Sequence, residues 1–124
     1  MTIQEKLTRC AALIEKIKRG PVWCEGEGVR VRLRWKHDKR VAWWIKERYD
    51  SGRWRHYELM AGKPHDIACI LEKWVRRELI EEGCNISSDS HETCIVLRNT
   101  GSHWIDHDYF TALIIAAEEL LVAA

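Results

Sequence analysis

The sequence predicts a single α+β domain in which helices pack on one face of a mainly antiparallel sheet. Three observations support this: an apolar stripe of helical period near the start, strict apolar and charged alternation in the next segment, and an almost wholly apolar stretch near the end. The 124 residues suit one domain, and 46% hydrophobic with 31% charged residues is an ordinary globular composition. We therefore expect one domain over residues 1–124 with the element order α-β-β-β-α-β-α.

The first helix has signals at both ends. Thr2 and Glu5 form a Thr-x-x-Glu capping box, in which side chains satisfy backbone N–H groups at the helix start. Gly20-Pro21 ends the helix. Between these points the apolar residues recur at spacings of three and four: Ile3, Leu7, Cys10, Ile14 and Ile17.

A three-strand meander follows the turn Glu25-Gly26-Glu27-Gly28. Apolar residues alternate with arginines from Gly28 to Trp35, which is the period of a strand with one buried face. Lys36 to Lys39 is expected to be a turn, and Asp50-Ser51-Gly52 a three-residue hairpin loop that pairs Tyr49 with Arg53. A four-residue loop would set Ile45 opposite His56 and mix the two faces, so the three-residue loop is preferred.

This register divides the meander into two faces. The expected core face holds Val31, Leu33, Trp43, Ile45 and Tyr57. The opposite face would display the candidate binding residues, with Glu58 at one end: Arg30, Arg32, Arg34, Trp44, Lys46, Arg48, Trp54 and His56.

The second half predicts two more helices around one strand. Gly62-Lys63-Pro64 begins a helix whose core stripe runs from Ile67 to Leu79 and which ends before Gly83. Residues 84–92 are polar and loop-like, and Thr93 to Leu97 is a short strand. Asp106 or Asp108 caps a last helix from about Tyr109, which is apolar on nearly all sides from Ala112 to Ala117.

The basic face favours binding over catalysis. Ten Arg and Lys against three Asp and Glu between Gly28 and His56 give that segment a net charge of +7, in a chain whose net charge is +1. Phosphates attract guanidinium groups and bases stack on indole rings, so a nucleic-acid partner is favoured. Trp and Arg also suit a protein interface or a homodimer. A plain solvated face remains open, with Arg stems covering the rings and Glu47 and Glu58 neutralising charge.

Metal binding and catalysis have weaker support. Cys84, Cys94, His103 and His107 are spaced C-x9-C-x8-H-x3-H, whereas structural zinc sites begin with closer cysteine pairs. A hydrolase-like site would combine the His103 to Asp108 segment with Cys94 or Cys24 as nucleophile. His-Asp pairs before a helix are more often caps, so we expect no catalytic residue, metal or cofactor. Residues 25–28 lack the Gly-Lys-Ser/Thr ending of a phosphate loop.

Composition also bears on location. The chain starts without an apolar secretion signal, and its longest apolar run is far shorter than a membrane span, so no membrane partner is expected. Five irregularly spaced cysteines fit reduced thiols and a cytoplasmic protein.

Two resemblances concern the order of elements and the C-terminal half. The α-β-β-β-α order resembles double-stranded RNA-binding domains, although Lys63-Pro64-His65-Asp66 stands at that family's Lys-rich helix start and its Gly-Pro-x-His loop is absent, so no function is carried over. The segments 65–68 and 112–117 are similar to small phage-encoded α/β/α sandwich domains, with an Asp-Ile-Ala helix start and an Ala-rich last helix. That resemblance implies a phage or mobile-element accessory protein without known catalytic residues.

Overall fold

A computed structural model describes residues 1–26, 29–37, 42–50, 52–59 and 64–122. The elements are α1 (Ile3–Ile17), β1 (Val22–Gly26), β2 (Val29–His37), β3 (Ala42–Asp50), β4 (Arg53–Leu59), α2 (Pro64–Glu81), β5 (Cys84–Ser88), β6 (Thr93–Leu97), β7 (His103–Asp106) and α3 (Tyr109–Leu120). This mixture of helices and antiparallel strands confirms the α+β class.

The strands form two antiparallel sheets rather than one. The N-terminal sheet has the order β1-β2-β3-β4, and the C-terminal sheet has the order β5-β6-β7. Four strands lie between α1 and α2, so the element order departs from that of double-stranded RNA-binding domains. Helices α2 and α3 pack on each other and both contact the C-terminal sheet, so this sheet does not lie between them as in an α/β/α sandwich.

The three strands that the sequence did not predict, β1, β5 and β7, have only four or five residues each. In β5 only Cys84 is buried, while Asn85, Ser87 and Ser88 are exposed. In β7 exposed and half-buried side chains alternate. Ser and Asn have low strand propensity, so pairing with β6 rather than local preference makes β5 a strand.

The helix ends follow the sequence signals. The Thr2 side chain accepts a hydrogen bond from the Glu5 backbone N–H at 3.2 Å, and Pro64 is the first residue of α2. Gly83 follows α2 with φ of 98°, a conformation that glycine adopts without steric penalty. Helix α1 ends earlier than Gly20, because Lys18 already adopts the left-handed conformation.

Asp108, rather than Asp106, caps α3. Its carboxylate accepts hydrogen bonds from the Thr111 backbone N–H at 2.9 Å and the Thr111 hydroxyl at 2.7 Å, and it lies 2.8 Å from Lys6 Nζ. Burial opposes the charge, but the hydrogen bonds from Lys6 and Thr111 outweigh it and lower the pKa of Asp108 to about 2. The cap therefore ties the start of α3 to α1.

One cluster of buried side chains joins the three helices to both sheets. Helix α3 lies at its centre, with Leu113 and Ile114 fully buried, as its apolar sequence predicts. The C-terminal sheet contributes Ile95, and the N-terminal sheet contributes Leu33 and Trp44. No helix among the described residues is long and apolar enough to cross a membrane.

Candidate nucleic-acid interface

The register of β2 and β3 separates the predicted binding residues. Arg32 pairs with Glu47 and Arg34 with Ile45, whereas Trp35 pairs with Trp44. Since residues directly opposite in a sheet share a face, the face of Arg32 and Arg34 holds Glu47. We call this the outer face and the face of Leu33 and Trp44 the inner face.

The prediction for β3 is therefore wrong. Trp44 was expected on the exposed face with Lys46 and Arg48, but all three lie on the inner face, and the Trp44 side chain is only 4% exposed. Ile45 is buried, yet on the outer face. The predicted turn at 36–39 caused this error: β2 continues to His37, and His37 pairs with Ala42 across four residues that lie outside the described ranges. An error of one residue in register turns every side chain of a strand to the other face.

A second register error cancels the first for β4. Asp50 pairs with Arg53 across Ser51 and Gly52, a two-residue connection instead of three. Trp54 and His56 consequently lie on the outer face, as predicted. Tyr57 lies on the inner face but is 49% exposed and not in the core. The side chains of Arg30, Trp43 and Glu58 lie outside the described part of the structure.

Glu47 is the centre of the outer face. Its carboxylate is fully buried, and three basic side chains contact it. Arg32 Nε donates to Glu47 Oε2, Arg34 lies 3.4 Å from Glu47 Oε1, and His56 Nδ1 lies 3.2 Å from that same oxygen. A buried carboxylate needs such partners, since burying an unpaired charge is strongly unfavourable. One negative charge within the protein therefore offsets part of the positive charge of Arg32 and Arg34.

The Trp54 ring is also occupied. The Arg32 guanidinium lies 4.1 Å from the ring centroid, a cation–π contact. The Tyr49 ring packs against Trp54 with a centroid distance of 5.3 Å and an interplanar angle of 57°. Arg32, which Glu47 holds in place, thus already covers part of the Trp54 ring on which a base would stack.

The inner face carries a different set of cations on β3 and β4. Arg48 pairs directly with Arg55, and Arg53 and Tyr57 lie on the same side of β4. We call Arg48, Arg53, Arg55 and Tyr57 the basic hairpin. All four side chains are exposed, and no ion pair or hydrogen bond involves the three arginines within the described ranges. Lys46 is half-buried beside them and has a contact of its own.

The Arg48–Arg55 pair is the distinctive feature of this set. Like charges directly opposite each other destabilise an antiparallel pair. Glu47 offsets the repulsion between Arg32 and Arg34. Among the side chains that the structure describes, no carboxylate does the same for Arg48 and Arg55. Strand β4 is moreover at the edge of its sheet, so the basic hairpin is open on one side.

The histidine and aspartate cluster before α3 has structural contacts. His107 Nδ1 lies 3.0 Å from the His91 backbone oxygen, and Asp106 accepts a hydrogen bond from the Asp108 N–H at 2.9 Å. His103 lies at the other end of β7, where it pairs with Val96. Across the described ranges, no three His, Cys, Asp or Glu side chains lie close enough together to hold a metal ion.

The four cysteines whose side chains the structure describes are free thiols: Cys10, Cys69, Cys84 and Cys94. Burial raises the pKa of Cys10 to about 12 and also raises the pKa of Cys84, so neither favours the thiolate that a nucleophile needs. Cys94 is half-buried in β6 opposite Ile105. The side chain of Cys24 lies outside the described residues.

Sequence reasoning missed two groups of side chains in this sheet: the cations around Glu47 and the basic hairpin. It treated Glu47 as a neutralising surface residue and placed Tyr57 on the core face, without assigning a role to Arg53 and Arg55, which share the side of Tyr57 on their strand. The alternation Arg53-x-Arg55-x-Tyr57 was the available signal, because two arginines on one side of a strand are incompatible with an apolar core.

Comparison with protein-family models, curated proteins and solved structures finds no match to this chain.

Proposed function

We propose that the protein binds nucleic acid through the basic hairpin. The Arg48–Arg55 pair carries this proposal, because two adjacent exposed guanidinium groups without a carboxylate partner among the described residues would be stabilised by a phosphate placed between them. Arg53 extends the positive charge along β4, and the exposed ring of Tyr57 offers a surface on which a base can stack.

Charge distribution supports the same partner. The segment 28–56 has a net charge of +7, and Glu47 offsets charge on the outer face only. Because phosphate contacts release counterions, the three arginines predict a salt-sensitive interaction. For a single strand, three contacts correspond to roughly a 20-fold loss of affinity when the salt concentration rises about four-fold.

Fluorescence anisotropy with labelled single-stranded DNA, single-stranded RNA and duplex DNA tests the proposal. We expect binding at low salt that weakens as salt rises, and at least about ten-fold weaker binding by the double variant Arg48→Ala/Arg55→Ala. The matched control is Lys73→Ala/Arg77→Ala, which removes the same charge from exposed positions on α2. Absence of binding at low salt, or an equal loss in the control, would refute a hairpin-specific site.

A protein partner is the second candidate, and the position of β4 favours it. An edge strand presents unpaired backbone groups that can pair with a strand of another chain. Light scattering would then report a mass twice that of the chain, and Tyr57→Ser should return it to the monomer. A monomer at high protein concentration excludes homodimerisation. The phage or mobile-element origin, and the retention of Arg32, Arg34, Trp54 and His56 as contact residues, stay predictions.

A further inference from the structure

A groove of about 380 Å³ lies between the C-terminal end of α1 and β2, away from the basic hairpin. Its lining includes three large apolar residues, which we call the floor (Ile14, Leu33 and Trp35), and five charged residues, which we call the rim (Glu15, Lys18, Arg19, Arg32 and Arg34). This volume is within the range of small-molecule sites in proteins. We propose that the groove binds a phosphate monoester that carries a flat aromatic ring, with a nucleoside monophosphate as the simplest example.

The local sequence creates the groove. Pro21 accepts a hydrogen bond from the Leu33 N–H at 3.0 Å, but it has no N–H to donate in return. Pairing between β1 and β2 consequently extends only to Val22 and Arg32, and the edge of β2 after Leu33 is left to face α1. Gly20 allows this close approach, since a Cβ there would lie 3.3 Å from both Ile14 Cγ2 and the Leu33 oxygen.

The cations of the rim are not equivalent. Arg19 is held by Glu78, with 2.5 Å between Arg19 Nη2 and Glu78 Oε2, and Arg32 is held by Glu47. Arg34 is 64% exposed, and its 3.4 Å contact with Glu47 is long for a hydrogen bond. Lys18 is exposed and makes no ion pair within the described ranges.

Lys18 and Arg34 both line the groove, Lys18 from the end of α1 and Arg34 from β2, and Arg34 keeps only its long contact with Glu47. A guanidinium and an ammonium group suit a phosphate, and charge-assisted hydrogen bonds to both are favourable. The half-buried side chains of Trp35 and Ile14 provide apolar surface for a ring. Glu15 on the same rim opposes an anion, and this predicts a variant that binds more tightly than the natural protein.

Isothermal titration calorimetry at low salt with AMP, inorganic phosphate and adenosine tests this proposal. We expect AMP to bind more tightly than either fragment, because only AMP uses both the rim and the floor. Arg34→Ala and Lys18→Gly should each weaken AMP binding about ten-fold. Lys18→Gly is compatible with the backbone, since residue 18 has a φ of 57° that glycine adopts readily. Glu15→Gln should strengthen binding several-fold.

Two controls separate this site from the basic hairpin. Lys16→Ala removes a cation from α1 outside the groove lining and should leave AMP affinity unchanged. Arg48→Ala/Arg55→Ala should retain AMP binding even where nucleic-acid binding is lost. The proposal is overturned if AMP shows no saturable binding, if phosphate or adenosine alone binds as tightly, or if Arg34→Ala and Glu15→Gln leave the affinity unchanged.

Discussion

The two sheets bury their central strands by different means. In the C-terminal sheet, Ile95 and Thr93 of β6 are buried in a unit that packs against α2 and α3. The N-terminal sheet buries Leu33 and Trp44 on its inner face, but on its outer face it buries the carboxylate of Glu47 beneath its own arginines. Apolar burial is non-directional, whereas a buried carboxylate depends on every partner around it. Substitutions should therefore act differently in the two sheets.

The largest effect is expected from a pair of tryptophans in the N-terminal sheet. Trp44→Ala removes a buried indole from the core and should lower the free energy of unfolding by about 4 kcal/mol. Trp54→Ala removes a half-buried ring that stacks with Arg32 and should cost about 1 kcal/mol. Urea denaturation measures both. Equal losses would contradict the assignment of these residues to opposite faces.

A pair of isoleucines gives the corresponding comparison for the C-terminal sheet. Ile95→Ala empties a fully buried position and should cost about 3 kcal/mol. Ile105→Ala changes a side chain that is 54% exposed and should shift stability by less than about 0.5 kcal/mol. Thermal or urea unfolding would show whether this sheet is buried on one face only; a large effect at Ile105 would mean that a partner covers the other face.

Glu47→Gln tests the ionic cluster. The amide keeps a similar shape but loses the charge that holds Arg32, Arg34 and His56, so we expect stability to fall by about 2 kcal/mol. Glu92→Gln is the control, since Glu92 is exposed, and should change stability by less than about 0.5 kcal/mol. If Glu47→Gln is as neutral as its control, the carboxylate does not organise the outer face.

The smallest effect concerns the carboxylate that caps α3. Asp108→Asn keeps a capping oxygen but loses the charge near Lys6, so at neutral pH it should cost about 0.5 kcal/mol, and Asp108→Ala about 1 kcal/mol. Since the pKa of Asp108 falls from 3.8 to about 2 on folding, the charge stabilises the folded protein above pH 3.8.

The same shift sets the pH range to examine. The stability advantage of the natural protein over the Asp108→Asn variant should decline as the pH falls from about 3.8 to about 2 and should vanish below that range. Urea unfolding at a series of pH values measures the difference between the two proteins. A difference that is constant across this range would show that the Lys6 contact contributes no stability.

Local signals predicted much of the helical framework. Thr2, Pro64, Gly83 and Asp108 mark helix ends where the structure has them, because caps and left-handed positions depend on residues within a few positions of one another. The sheets were predicted less completely. Strand β5 has weak local preference and becomes a strand by pairing with β6.

In the candidate site, too, local sequence predicted some features and strand pairing decided the others. Charge counts alone located the basic segment, and alternation correctly placed Arg32 and Arg34 on one side of β2. The roles of these residues depended on pairing: a two-residue connection at Ser51-Gly52 and a longer β2 decided that Glu47 faces Arg32 while Arg48 faces Arg55. No single-strand pattern contains that information, because register is a relation between strands.

By itself, the sequence determined the α+β class, most of the helix boundaries, the apolar character of α3 and the concentration of positive charge in residues 28–56. Only the tertiary structure decided that Trp44 is core, that Glu47 is buried under arginines and that Arg48, Arg53 and Arg55 are exposed without a partner among the described residues. The physical reason is range: caps and periodicity act within a few residues, whereas burial and ion pairing depend on strands whose relative register the local sequence does not specify.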